Sequence, residues 1–92
     1  MYLQWPIHDP LDSKDYSIDW SRWLAPGETI VASSWVAPTN LIISVTSFTT
    51  NLTTVWLTGG GQSGNIADVQ NKITTSQGRI AVKTVSLPIG AN

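Results

Sequence analysis

The sequence contains no cysteine, which excludes disulfide bonds and thiolate metal sites. Charged residues make up only 12% of the 92 residues, about half the usual fraction for a soluble domain. So few charges give little electrostatic protection against association, which favours a protein that packs against others. The net charge is −1 and the basic residues are scattered, so the chain lacks the basic footprint of a nucleic-acid-binding protein.

Long hydrophobic runs are also missing. The sequence contains no run of about eighteen apolar residues, which is the length that a membrane-spanning helix needs. We therefore expect no membrane partner. Residues 1–11 lack the basic start and apolar run of a signal peptide, so we expect synthesis and assembly in the cytoplasm. The length is typical of one small domain.

Short apolar runs rich in Val, Ile, Thr and Trp alternate with turn residues, and no helical stripe is sustained. This pattern predicts an all-β fold, an immunoglobulin-like β-sandwich of about six or seven strands, with an OB-type barrel as the structural alternative. The predicted strands are Tyr16–Trp20, Glu28–Ala37, Leu41–Phe48, Thr53–Thr58, Ile66–Thr75 and Arg79–Leu87. The predicted organisation is an extended arm over residues 1–14, the sandwich over residues 15–88 and a loose tail over residues 89–92.

Catalytic and cofactor signals are weak. His8 is the only imidazole, and Pro6 and Pro10 flank it, so we expect a solvated side chain without the rigid support that a catalytic triad needs. The glycine run Gly59–Gly61 lacks the Lys and Ser/Thr that complete a phosphate loop. Asp19 and Glu28 have nothing beside them that marks a glycosidase cleft. The sequence predicts no enzyme, no catalytic residue and no cofactor.

An acidic run precedes and enters the first predicted strand. Its spacing lacks the central glycine and terminal glutamate of a calcium loop, so we predict turn-capping carboxylates and no metal site. The run consists of Asp9, Asp12, Asp15 and Asp19.

Tryptophan is unusually frequent, with five residues in a small domain. Trp20, Trp23 and Trp35 lie in or beside predicted strands and fit a core role. Trp5 lies in the arm, and Trp56 alternates with Val55 and Leu57, so we predict that these two contact partners. The same exposed rings also suit sugar binding, which stays open as an alternative.

The predicted arm carries large apolar residues outside the patterned strands: Tyr2, Leu3, Trp5 and Ile7. Pro6 and Pro10 cannot donate to a β-ladder and bias the preceding residues to extended forms. We therefore expect an arm that is disordered in the free protein and becomes ordered against a neighbouring subunit. The predicted interface residues are Tyr2, Leu3, Trp5, Ile7 and Trp56.

Several segments together resemble a family of small virion proteins, the phage fibre-tail adaptors. The likeness runs from about Asp9 to Leu87. Its motifs are Asp9-Pro10, Asp15–Leu24, Gly27–Ile30, Ala32–Trp35, Thr54–Gly60, Asn71–Thr75 and Gly78-Arg79.

The resemblance implies a structural component of a tailed bacteriophage particle, a small adaptor or connector in the fibre-tail or neck region. It implies protein contacts with tail, neck or fibre subunits, a homo-oligomeric ring or symmetric array, and a virion location after assembly in the host cytoplasm. Alternative functions are a capsid decoration protein or a carbohydrate-binding module that uses exposed tryptophans.

Overall fold

The computed structural model describes residues 3–6, 8–60 and 64–90. Within these ranges it contains seven β-strands. They are β1 (Leu3–Gln4), β2 (Ser13–Asp19), β3 (Ile30–Val36), β4 (Leu41–Phe48), β5 (Leu52–Gly59), β6 (Ile66–Thr75) and β7 (Ile80–Pro88). The prediction of an all-β fold is confirmed.

The strands form two sheets, one of four strands in the order β1-β7-β6-β3 and one of three strands in the order β2-β5-β4. Strands from both sheets contribute to one apolar cluster, so the fold is a β-sandwich. With β2 to β7 taken as strands B to G, the orders β2-β5-β4 and β3-β6-β7 equal the B-E-D and C-F-G orders of an immunoglobulin constant domain. This order supports the immunoglobulin-like interpretation.

Alternation along the strands builds the core, because successive side chains point to opposite faces. On β6, Val69 and Ile73 are fully buried while their immediate neighbours Gln70 and Lys72 are exposed. Burying each large apolar side chain contributes roughly 1.5–3 kcal/mol. The cluster between the sheets contains Tyr16, Leu41, Val55, Leu57, Ala67, Val69, Leu87 and Ile89.

Irregularities in β3 and β4 change which residues face the core. The register shifts between Ile30 and Ala32 in β3, and Ile30 is 5% exposed. A second shift lies between Ile43 and Val45 in β4. Leu41 at the start of β4 is buried, whereas its neighbour Ile42 is 60% exposed.

The N-terminal segment, defined here as residues 3–6 and 8–12, lies against the sandwich. β1 pairs in parallel with Val85 and Ser86 of β7, and the backbone N–H of Trp5 donates to the Ser86 carbonyl at 2.9 Å. The expectation that the prolines keep this segment out of the sheet is wrong, because the paired residues precede Pro6 and require no donor from it.

The end of the chain is also more ordered than expected. Ile89 is 2% exposed and belongs to the core cluster, and the N–H of Gly90 donates to the His8 carbonyl at 2.9 Å. The prediction of a loose tail is therefore wrong for these two residues, while residues 91–92 lie outside the described ranges.

One short turn follows β2, where the N–H groups of Trp23 and Leu24 both donate to the Trp20 carbonyl. In the part of the chain that the structure describes, no helix is long and apolar enough to cross a membrane.

Candidate interaction surfaces

The outer face of the three-stranded sheet carries an apolar surface centred on Trp56. In the sheet register, Trp56 lies between Val45 of β4 and Asp15 of β2. Ile42 lies in the adjacent row, opposite Thr58. The exposed fractions are 40% for Trp56, 56% for Val45 and 60% for Ile42. These three side chains define the Trp56 surface.

Hydroxyl groups flank the Trp56 surface. Ser17 and Thr54 form a hydrogen bond of 2.9 Å on one side, and the hydroxyl of Thr58 donates to Ser13 at 3.2 Å on the other. An apolar centre with a polar rim is the arrangement found at protein–protein interfaces. The sequence predicted that Trp56 contacts a partner. The structure shows its side chain exposed on this sheet face, and the contact itself stays a prediction.

Trp5, the other tryptophan predicted to contact a partner, packs on its own domain. Its ring stacks on Tyr16 with a centroid distance of 4.8 Å and lies 6.0 Å from the ring of Trp35. Its indole N–H donates to the Ser17 carbonyl at 3.3 Å, and the residue is half-buried. Trp5 thus contributes to the stability of the sandwich, and an additional contact with a neighbour stays a prediction.

The remaining predicted interface residues are less informative. Tyr2 and Ile7 lie outside the described residues, and Leu3 is described by its backbone pairing in β1. Their predicted role in contacts stays a prediction.

His8 is buried, with 0% of its surface exposed, so the prediction of a solvated imidazole is wrong. Its Nδ1 lies 2.7 Å from the hydroxyl of Tyr16, and the two rings meet edge to face. The neighbouring Asp9 carboxylate accepts from the N–H of Leu11 at 3.0 Å and so caps a turn. The buried pair of His8 and Tyr16 joins the N-terminal segment to β2.

Burial controls the protonation of this pair, because a charged form is disfavoured away from water. It lowers the pKa of His8 below its ordinary 6.5. It also raises the pKa of Tyr16 to about 12. Both groups are therefore neutral near pH 7.

The acidic run does not converge on one site. Asp12 pairs with Lys14 at 3.1 Å, and Asp19 accepts from the N–H of Ser21 at 2.9 Å, which lowers the pKa of Asp19. Among the described residues, no group of three His, Cys, Asp or Glu side chains could hold a metal ion.

The motifs Gly27-Glu28 and Gly78-Arg79 meet in space. The Nε and Nη2 groups of Arg79 both donate to the carboxylate of Glu28. Thr75 donates to the same carboxylate at 2.6 Å. Hydrogen bonding from Arg79, followed by that from Thr75, lowers the pKa of Glu28 from 4.5 to about 2. This cluster fixes the β6–β7 hairpin to the loop before β3, so Glu28 has a structural role.

Three motifs, Asp15–Leu24, Ala32–Trp35 and Asn71–Thr75, meet in a buried polar network. The indole N–H of Trp20 reaches the Asn71 side-chain oxygen at 3.0 Å and the Thr53 hydroxyl at 3.2 Å. Thr53 also donates to Asn71 at 2.7 Å, and the Asn71 amide donates to Ser33 at 3.0 Å. The network links β5 of one sheet with β6 and β3 of the other, and satisfied networks of this kind specify a unique packing.

A cavity of about 340 Å³, here named the edge groove, lies beside β7. Sequence reasoning missed it, because its residues come from the turn after β2 and from a strand about sixty residues later. The ammonium of Lys83 lies 4.4 Å from the centre of the Trp20 ring, and the guanidinium of Arg79 lies 4.1 Å from that of Trp23. Its lining consists of Trp20, Arg22, Trp23, Ala81, Val82 and Lys83.

These features define a small β-sandwich with an apolar sheet face and a groove at one strand edge. The family described as "Podophage GP4 fiber-tail adaptor protein gp77" matches residues 8–88, and the chain belongs to this family. No match is found among curated proteins. The family is that of a phage virion adaptor, and the resemblance noted from the sequence motifs is confirmed.

Proposed function

We propose that this chain is a small structural component of a tailed phage particle that joins fibre and tail proteins, with the Trp56 surface as a docking face. Membership of the fibre-tail adaptor family supports the adaptor role. The proposal includes a virion location, contacts with tail or fibre subunits, a symmetric arrangement of copies and no catalytic activity.

The observation that carries the docking face is the exposure of three large apolar side chains in adjacent rows of one sheet. Aromatic residues are enriched at interface centres, and a surrounding polar rim excludes water from them. Trp56 belongs to neither core cluster, and 40% of its surface is available to a partner.

The test is complementation of a phage that lacks this gene with variants of the full chain. Trp56→Ala combined with Val45→Ser should reduce the amount of the protein in purified particles by roughly tenfold or more, because truncating a central interface residue costs about 2 kcal/mol or more in binding. Ile66→Ser is the matched control, because Ile66 is 66% exposed and lies on β6 of the other sheet.

Melting curves of the purified variants verify that both fold. Normal incorporation of the Trp56 and Val45 variant would refute the docking face. Absence of the wild-type chain from purified particles would refute the adaptor role itself.

A further inference from the structure

The first part of β7 has a free edge. Among the described residues, β1 pairs only with Val85 and Ser86, and no backbone partner reaches β7 between Ile80 and Lys83 on that side. The Arg79 carbonyl accepts from Thr75 of β6, whereas the carbonyls of Ser86 and Pro88 accept from Trp5 and His8 on the opposite side. The backbone N–H and C=O groups of alternate residues point to the same side of a strand. Those of Ile80 and Val82 therefore point to the same side as those of Ser86 and Pro88, which at Ile80–Lys83 is the free edge.

The edges formed by β2, β3 and β4 carry features that discourage strand addition. β3 and β4 each contain a register shift, and such bulges disrupt an edge. β2 carries the charged residues Lys14, Asp15 and Asp19, and charges on an edge strand have the same effect. The pairing of β6 with β7, from Ile66 opposite Pro88 to Thr74 opposite Ile80, has no register shift, so β7 is a regular strand.

The edge groove adjoins this free edge. Its lining includes Ala81, Val82 and Lys83 of β7, with the rings of Trp20 and Trp23 beside them. The charged residues of the lining are both cationic, namely Arg22 and Lys83. Hydrogen bonds from Ser21, and to a smaller extent the charges of Lys83 and Arg22, lower the pKa of Asp19. This one carboxylate balances one of the two positive charges, so the groove keeps one in excess.

We propose that an extended segment of a partner virion protein adds as a strand to the edge of β7 at Ile80–Lys83 and places an acidic side chain in the edge groove. Strand addition supplies backbone hydrogen bonds, and alternate side chains enter neighbouring pockets. The half-buried Trp23 ring contacts the apolar stem of the inserted side chain, while Arg22 and Lys83 bind its carboxylate. This inference rests on the proposed adaptor function and adds a second contact, distinct from the Trp56 surface.

The sharpest test is Val82→Pro in the full chain. Because the Val82 N–H points away from β6, proline there leaves the β6–β7 pairing intact, yet it removes a donor and places a ring in the path of an added strand. We expect a folded protein whose incorporation into particles falls by roughly tenfold or more. Val82→Thr keeps the N–H and the branched shape, and it should incorporate normally.

Hydrogen exchange of wild-type protein gives a second test that does not depend on the variant folding. The amides of Ile80 and Val82, which point to the free edge, should exchange rapidly in the free chain and become protected in purified tails. Slow exchange in the free chain would mean that Met1 and Tyr2 or a second copy already cover the edge, and it would overturn the proposal. Unchanged exchange in tails would do the same.

A charge test addresses the groove itself. Arg22→Gln should weaken incorporation several-fold, whereas Lys14→Gln, which removes an equal charge outside the groove, should not. Equal effects of the two changes would refute the acidic insert. If wild-type protein is present in tails but Val82→Pro enters equally well, strand addition is wrong while the adaptor role stands.

Discussion

Trp5 and Trp56 were both predicted to contact partners, yet their surroundings in the structure differ. Trp5 stacks on Tyr16 and lies near Trp35, so its ring is held by its own domain. Trp56 lies on the outer face of a sheet, beside Val45, with 40% of its surface exposed. An apolar residue outside the regular pattern can therefore pack against the core, and one inside a regular strand can be exposed on a sheet face.

The largest expected difference is in stability. Trp5→Ala should lower the free energy of unfolding by about 2–3 kcal/mol, somewhat less than a fully buried tryptophan, because it removes the ring stack and the contact with both core clusters. Thermal unfolding should show a fall in melting temperature of roughly 10–20 °C. A loss below about 0.5 kcal/mol would mean that the N-terminal segment does not pack as described.

A second prediction concerns the region where the N-terminal segment meets the end of the chain. Gly60 has φ +123°, and a Cβ there would lie 2.8 Å from the Cδ1 of Ile89. Gly60→Ala should therefore destabilise the domain by about 1–3 kcal/mol through strain and overpacking.

Gly78→Ala is the matched control, because Gly78 also has a positive φ, +79°, but no atom lies within 4 Å of its Cβ position. It should cost about 1 kcal/mol from backbone strain alone. Equal losses in urea unfolding would show that the contact with Ile89 contributes nothing.

The third prediction is a loss of stability in mild acid that depends on His8. Its folded-state pKa lies below 6.5, so the unfolded chain binds a proton more readily and stability falls as the pH drops below about 6.5. Glu28 adds a separate loss as the pH falls from 4.5 toward 2, because its folded-state pKa is about 2.

His8→Asn removes the first titration and retains the second. Urea unfolding at several pH values between about 7 and 5 should show a slope for the wild type that is flattened in this variant. The same slope in both proteins would assign the acid sensitivity to other groups.

The smallest expected effect is that of Trp56→Ala on the isolated domain. We expect a loss of about 1 kcal/mol or less, because Trp56 lies outside the core clusters and a cross-strand pair such as Trp56 with Val45 contributes roughly 0.2–1 kcal/mol. Thermal unfolding of this variant beside Trp5→Ala gives the direct contrast. Losses of similar size would remove the distinction between the two tryptophans.

Much of the fold could be predicted from alternation. The strand Ile66–Thr75 coincides with β6, and the exposure of Trp56 follows from its position between the buried residues Val55 and Leu57. These predictions succeed because a half-buried strand repeats its pattern every two residues.

The N-terminal segment could not be predicted in this way. Residues 3–12 contain two prolines and no alternation, and β1 pairs with a strand about eighty residues later in the chain. Distant pairing leaves no local signal, and the burial of His8 depends on Tyr16 and on that pairing.

Part of the candidate surface was also missed, for a different reason. Ile42 and Val45 are three residues apart, so simple alternation assigns them to opposite faces. The register shift between Ile43 and Val45 returns both to the outer face beside Trp56. A bulge of this kind is set by the partner strand and cannot be read from β4 alone.

The most direct test of the central claim is hydroxyl-radical footprinting of the two tryptophans in free protein and in purified phage tails. Our account predicts that oxidation of Trp56 falls several-fold on assembly while that of Trp5, already packed on its own domain, changes little. Protection of Trp5 with no protection of Trp56 would contradict the account and return the interface to the N-terminal segment.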